Sequence, residues 1–241
     1  MNQLIYHSKE ELIEDLAEFI IKIGTEAIAD SGRFNFVLTG GSSPKTLYQQ
    51  LSTKYKDQLD WQKVYFFFGD ERNVSFTDKD YNGLMAAETL LNPLNIADDH
   101  VFYVNTKLGP VEAAEAYQTA ITLHFNGAPP AFDLILLGMG DDAHAASLFP
   151  GTDILEITDI GVEAVFVEKL NTYRISMTAA MINSAKNIAF LVFGKSKAEA
   201  VKNVIEPEEE DTNLYPAQLI KPYDGNVTWF LDQEAAALLN T

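Results

Sequence analysis

The 241-residue chain carries 17 Lys and Arg against 35 Asp and Glu, and its formal net charge of -18 opposes general binding to nucleic acid or to an anionic membrane. It has no cysteine, which removes disulfides, thiolate catalysis, iron–sulfur clusters and cysteine-containing zinc sites together. With 47% hydrophobic residues it is able to bury a sizeable core, and no window approaches the about 18 apolar residues of a membrane span, so a soluble cytoplasmic protein is expected.

In chain order, Lys9 to Asp30 places Leu12, Leu16, Phe19, Ile20 and Ile23 at helical spacing. After Ser31-Gly32 the run "FNFVL" reads as a strand, followed by "TGGSSP" and a helical pattern through Leu47 and Leu51. The order then repeats. "VYFFF" leads into "GDERNV" and a helix around Tyr81 to Leu91, "VFYV" into a helix around Val111 to Phe125, and "FDLILL" into "GMGDDAHAASLFPG". Further strands are expected at "EAVFV", "YRISM", "NIAFLVF" and "VTWFL", with a helix through "GKSKAEAVKNV" and a short terminal helix. Glu206 to Asp211 reads as a solvated loop.

Short apolar runs alternating with helices predict an α/β fold, a mostly parallel central sheet with helices on both faces, in one domain spanning 1–241. Ligands gather at the carboxyl ends of such strands, where "TGGSSP", "GDER", "GMGDDAH" and "GKSK" all fall.

Each segment has competing readings. "GMGDDA" matches a dinucleotide loop, with Asp159 at a suitable distance, yet Asp141 and Asp142 would meet the pyrophosphate as like charges. Asp141, Asp142 and His144 are metal-type ligands, but His7, His100 and His124 stand in unrelated contexts and no helical histidine pair exists, so no metal is expected. No G-x-S-x-G elbow accompanies Ser147. "TGGSSP" suits an anion cradle or a capped turn, "GDER" an active loop or an exposed ion-paired turn, and "GKSK" a ligand-facing or a solvated helix start.

Taken together, "LTGGSSPKTLYQQL", "VYFFFGDERNV", "YNGLMAAETLL", "FDLILLGMGDDAHAASLFPG", "RISMTAAMINSAKNIAFLVFGKSKAEAV", "YPAQLI" and "WFLDQEAA" resemble the 6-phosphogluconolactonase family over nearly the whole chain. That family is similar in fold to the glucosamine-6-phosphate deaminases. The deaminase branch usually has Asp-Glu-Tyr where this chain has Asp70-Glu71-Arg72, and a different sequence at "SLFPG". The resemblance therefore implies hydrolysis of a phosphorylated sugar lactone, 6-phospho-D-glucono-1,5-lactone, without cofactor or metal. A deaminase-like aldose–ketose isomerase and a non-catalytic sugar-phosphate-binding regulator are the alternatives, and oligomeric state is left open.

On this resemblance His144 is the expected base, Asp142 its orienting carboxylate, and Arg72 or the backbone amides of "GMG" the oxyanion partner. Gly41, Ser42, Ser43, Asp70, Arg174 and Lys197 are expected to bind substrate and its phosphate, with Lys197 matching the basic position better than Lys195. Two departures stand out: "LNTYR" replaces a proline pair before the arginine, and Ala143 replaces glycine between Asp142 and His144. Asp142 to Ala146 reads as an ordinary helix start, which alanine suits.

Overall fold

The computed structural model describes residues 2–240. In chain order its strands are β1 (Asn2–Tyr6), β2 (Phe34–Leu38), β3 (Val64–Phe68), β4 (Asp70–Arg72), β5 (Leu134–Leu137), β6 (Val162–Val167), β7 (Thr172–Met177), β8 (Asn187–Val192) and β9 (Asn226–Asp232). Six of them form one parallel sheet in the order β1-β9-β8-β5-β2-β3, as the alternation of apolar runs and helices predicts. The helices are α1 (Lys9–Ser31), α2 (Lys45–Thr53), α3 (Asn82–Ala86), α4 (Pro110–His124), α5 (Ala179–Ile182) and α6 (Ala198–Ile205). Among the described residues no helix is long and apolar enough to cross a membrane.

The sheet is buried on both faces because its strands carry apolar side chains in both directions. Phe34, Phe36 and Leu38 of β2 and Leu134 and Leu136 of β5 join Leu12, Leu16 and Ile20 of α1 and Leu47 and Leu51 of α2 in one cluster. The alternate residues Val37, Ile135 and Leu137 join Ala114, Tyr117 and Ile121 of α4 and Val201 of α6 in the other. Each fully buried Phe or Leu contributes on the order of 1.5–3 kcal/mol, so these two layers hold the strand ends in place. Helix α1 begins where Ser8 accepts the Glu11 N–H at 3.2 Å and ends at Gly32, whose φ of 79° suits glycine.

Three local expectations differ from the structure. "VFYV" forms only a single bridge, Val101 to Phe66, since its polar flanks leave no further pairing. Residues 233–239 form turns in place of a terminal helix, because the Asp232 carboxylate takes the N–H groups of Ala235 and Gly194 and ties the chain back. β1, a segment ahead of the first helix for which the sequence predicts no element, pairs with β9 at the sheet edge.

The chain leaves the main sheet after β3. Gly69 donates to Leu38 O and accepts from the Met177 N–H, and β4 then pairs antiparallel with β7, giving a small sheet β4-β7-β6 at the carboxyl end of the parallel strands.

Candidate active site

Five segments meet at that end around a cavity of about 430 Å³: the turn after β2, strand β4, the loop after β5, the hairpin joining β6 to β7 and the turn before α6. Gly41, Ser42, Ser43, Asp70, Arg72, His144, Arg174 and Lys197 all line it, and Asp142 stands at its border with an adjoining cavity of about 610 Å³. Lys195 is not among the residues that line the cavity. Against the acidic whole, four cationic side chains (Arg72, Lys169, Arg174 and Lys197) face two carboxylates, Asp70 and Asp141, across this space.

Strand alternation sorts the "GDER" motif. Asp70 and Arg72 share a face with their cross-strand partners Ser176 and Arg174, while Glu71 turns inward. The fully buried Glu71 carboxylate accepts N–H bonds from Arg72, Asn82 and Gly83 at 2.7–2.9 Å, anchoring α3 beneath β4. Burial pushes its carboxyl up to about 8, and the three N–H donors act against that rise.

Arg72 reaches the Asp80 carbonyl through Nη1 at 3.0 Å, but the buried Nε atoms of Arg72 and Arg174 have no partner. Burial, and then the nearby Arg72 charge, lower the pKa of Arg174. Two neighbouring guanidiniums, neither of them ion-paired, present donors suited to an anion.

The turn after β2 is pinned by Tyr48, whose hydroxyl accepts from Thr39 N and donates to Thr39 O. Gly41 has φ 89°, a conformation glycine adopts without strain. α2 begins at Pro44 with no side-chain cap, so Ser43 does not cap it, and the hydroxyls of Ser42 and Ser43 have no hydrogen bond among the described residues.

The loop after β5 corrects the expectation of an ordinary helix start. Ala143 has φ 59° and Ala146 φ 49°, both left-handed, and no helix forms there. Tertiary bonds outweigh helix propensity: Gly140 N–H donates to His144 O at 2.9 Å, Ala143 N–H to Gly140 O at 3.2 Å, and Ala217 N–H to Ala143 O at 2.9 Å. The reversal brings His144 Nδ1 to 2.5 Å from Asp142 Oδ1, and a Cβ on Gly140 would overlap both side chains.

Ser147, also not helical, docks this loop on the small sheet. Its N–H donates to Ser176 Oγ at 3.2 Å and its hydroxyl to Asp70 Oδ2 at 2.6 Å. Phe149 stacks on the His144 ring, centroids 4.0 Å apart. Lys169 contacts Asp142 Oδ2. The sequence alone did not single out Ser147, Phe149 or Lys169 as site residues; the first two fall inside "GMGDDAHAASLFPG", whereas Lys169 has no motif to mark it.

Burial pushes the His144 imidazole from its ordinary value of 6.5 down to about 4. Asp70 and Asp141 act against this and Lys197 and Arg174 with it. The ring is therefore neutral at pH 7, and the Asp142 acceptor places the proton on Nδ1, leaving Nε2 as a free base. Among the described residues no group of three or more His, Asp or Glu side chains is placed to hold a metal ion.

An imidazole held by a carboxylate and a cluster of cationic side chains lie together at the carboxyl ends of a parallel sheet, where α/β enzymes bind their substrates. The chain belongs to the family described as glucosamine-6-phosphate isomerases/6-phosphogluconolactonase, which it matches over residues 7–229. It is 36% identical over 248 residues to probable 6-phosphogluconolactonase 1 of Arabidopsis thaliana, covering 98% of this chain and 92% of that one. To the 6-phosphogluconolactonase of Nostoc sp. it is 39% identical over 218 residues, 89% and 88% of the two chains. The solved structure of 6-phosphogluconolactonase from Trypanosoma brucei superposes with a TM-score of 0.87 at 29% identity, covering 99% of this chain and 98% of that one.

Proposed function

We propose that this chain hydrolyses 6-phospho-D-glucono-1,5-lactone to 6-phospho-D-gluconate, the lactone-opening step of the oxidative pentose phosphate pathway, with His144 as general base. One observation carries the reading: an imidazole tied to Asp142 shares a cavity with two guanidiniums that have no carboxylate partner among the described residues.

A lactone is an activated ester, so a positioned water and a base suffice to open it. His144 Nε2 takes a proton from water as the water oxygen bonds to C1, and the carbonyl electron pair moves onto its oxygen. Arg72 receives that charge. The competing amides of the glycine turn are largely engaged, Gly138 N–H with Thr39 Oγ1 at 3.3 Å and Gly140 N–H with His144 O. Collapse re-forms the carbonyl and breaks the bond from C1 to the ring oxygen, which takes the proton back from His144. The new carboxylic acid then ionises to solvent. Asp142 stabilises the transient imidazolium without itself taking a proton.

Arg174, Lys197 and the amides and hydroxyls of Gly41, Ser42 and Ser43 hold the 6-phosphate, and Asp70, one oxygen occupied by Ser147, accepts from a sugar hydroxyl. Phosphate binding at a distance from C1 places the carbonyl beside His144.

The test is acid release from freshly generated lactone by purified protein without added metal. Release well above the spontaneous rate, with no ammonia from glucosamine 6-phosphate, supports the reading. Robust ammonia release, or activity abolished by chelator and restored by zinc, refutes it.

A further inference from the structure

The His144 ring is supported twice, at its edge by Asp142 and on its face by Phe149. Lys169 touches both supports: its ammonium contacts Asp142 Oδ2 and sits 4.8 Å from the centroid of the Phe149 ring. It comes from a different part of the chain, the single 3-10 turn Glu168–Leu170 between β6 and β7. Asn171, left-handed at φ 47°, closes that turn by donating to Glu168 O at 3.0 Å. β7 also carries Arg174, so one hairpin bears both this lysine and one of the two neighbouring guanidiniums. Lys169 and Phe149 line both cavities and form the wall between them.

Within its own loop Asp142 is held through Oδ1 alone, by His144 Nδ1 and by a long 3.4 Å bond from the His144 N–H, and a carboxylate held through one oxygen is able to swing its other oxygen toward the imidazole. Engaging Oδ2 removes that freedom.

We propose that Lys169 is a positioning residue for the lactone hydrolysis, its ammonium holding the Asp142 carboxylate so that Oδ1 stays on His144 Nδ1; this rests on the role given to His144 above. The lysine side chain is 51% exposed, so the contact adds little to fold stability and acts on geometry and local charge. The charged groups facing His144 are Asp141 and Asp142 from its own loop, Asp70 from β4, Arg174 from β7 and Lys197 from the turn before α6. Removing the Lys169 cation leaves Asp142 uncompensated and favours the imidazolium.

The experiment compares wild type, K169M and K169R by steady-state kinetics on the lactone and by NMR titration of the His144 ring without substrate. K169M is expected to lose about tenfold in kcat with KM held within about twofold. Its His144 midpoint is expected to rise by about half a unit or more. K169R is expected to restore both. A raised KM with unchanged kcat makes Lys169 a substrate-gripping group and overturns the proposal, as do unchanged kcat and an unchanged His144 midpoint together. If the wild type fails to open the lactone, the functional reading fails instead, and the three His144 titrations still decide whether Lys169 acts on His144 through Asp142.

Discussion

Arg72 and Arg174 stand directly opposite each other in the antiparallel pairing of β4 with β7, and among the described residues neither guanidinium lies within ion-pair distance of a carboxylate. Like charges placed so cost stability, and a phosphate dianion bound by Arg174 offsets that cost and turns it into affinity. Arg174→Ala is therefore expected to weaken 6-phosphogluconate binding by about 1.5–3 kcal/mol in calorimetry. The thermal midpoint of the unliganded variant should stay level or rise. Unchanged affinity with a lowered midpoint would make the pair structural.

Ser147 is the rivet between the His144 loop and the small sheet, and its hydroxyl is the side-chain donor to Asp70 Oδ2. Ser147→Ala leaves that buried carboxylate oxygen short of a partner, an expected loss of about 1–3 kcal/mol in urea unfolding. The kcat for the lactone should fall as well, because His144 loses its register against Arg72. Wild-type stability and turnover in this variant would remove Ser147 from the account.

Ala143 holds a left-handed conformation, φ 59°, that glycine adopts without penalty. Ala143→Gly relieves that strain and adds unfolded-chain entropy, and strain is the larger of the two, so a net gain of about 0.5–1 kcal/mol is expected. A lower unfolding midpoint for the glycine variant contradicts this.

His144 and His124 are each pushed by burial from 6.5 to about 4. The unfolded chain binds their protons first, so the stability of the neutral folded form is present above about 6.5 and is lost as pH falls toward 4. Glu71, raised to about 8, works in the opposite sense, its contribution fading as pH rises. Comparing wild type with His144→Gln cancels the Glu71 and His124 contributions. The loss of unfolding free energy between pH 7.5 and 4.5 should be smaller in the variant, and an equal loss would place the His144 pKa near its ordinary value.

The strand–helix order was readable because each unit is local: "FNFVL", "VYFFF" and "FDLILL" are short, mostly apolar runs followed by glycine turns, and those turns mark the carboxyl ends where the cavity forms. His144, Arg72, Arg174, Lys197 and the serine turn were readable as types and places. Their mutual geometry was not. Ala143 looks helical because alanine favours helices, and its true conformation is set by the bond its N–H donates to Gly140 O and the one its carbonyl accepts from the distant Ala217. The opposition of Arg72 and Arg174 depends on an antiparallel register between segments far apart in the chain, and Lys169 reaches Asp142 from a turn with no motif of its own.

The central claim is that neutral His144 takes the proton from the attacking water while the phosphate is held elsewhere. Its most direct test is the kcat of His144→Ala on 6-phosphogluconolactone, measured beside the affinity of the same variant for 6-phosphogluconate. The account predicts a loss of about 10²–10⁴-fold in kcat with product affinity changed by no more than a few-fold. Near-wild-type turnover, or product binding lost along with activity, would contradict it.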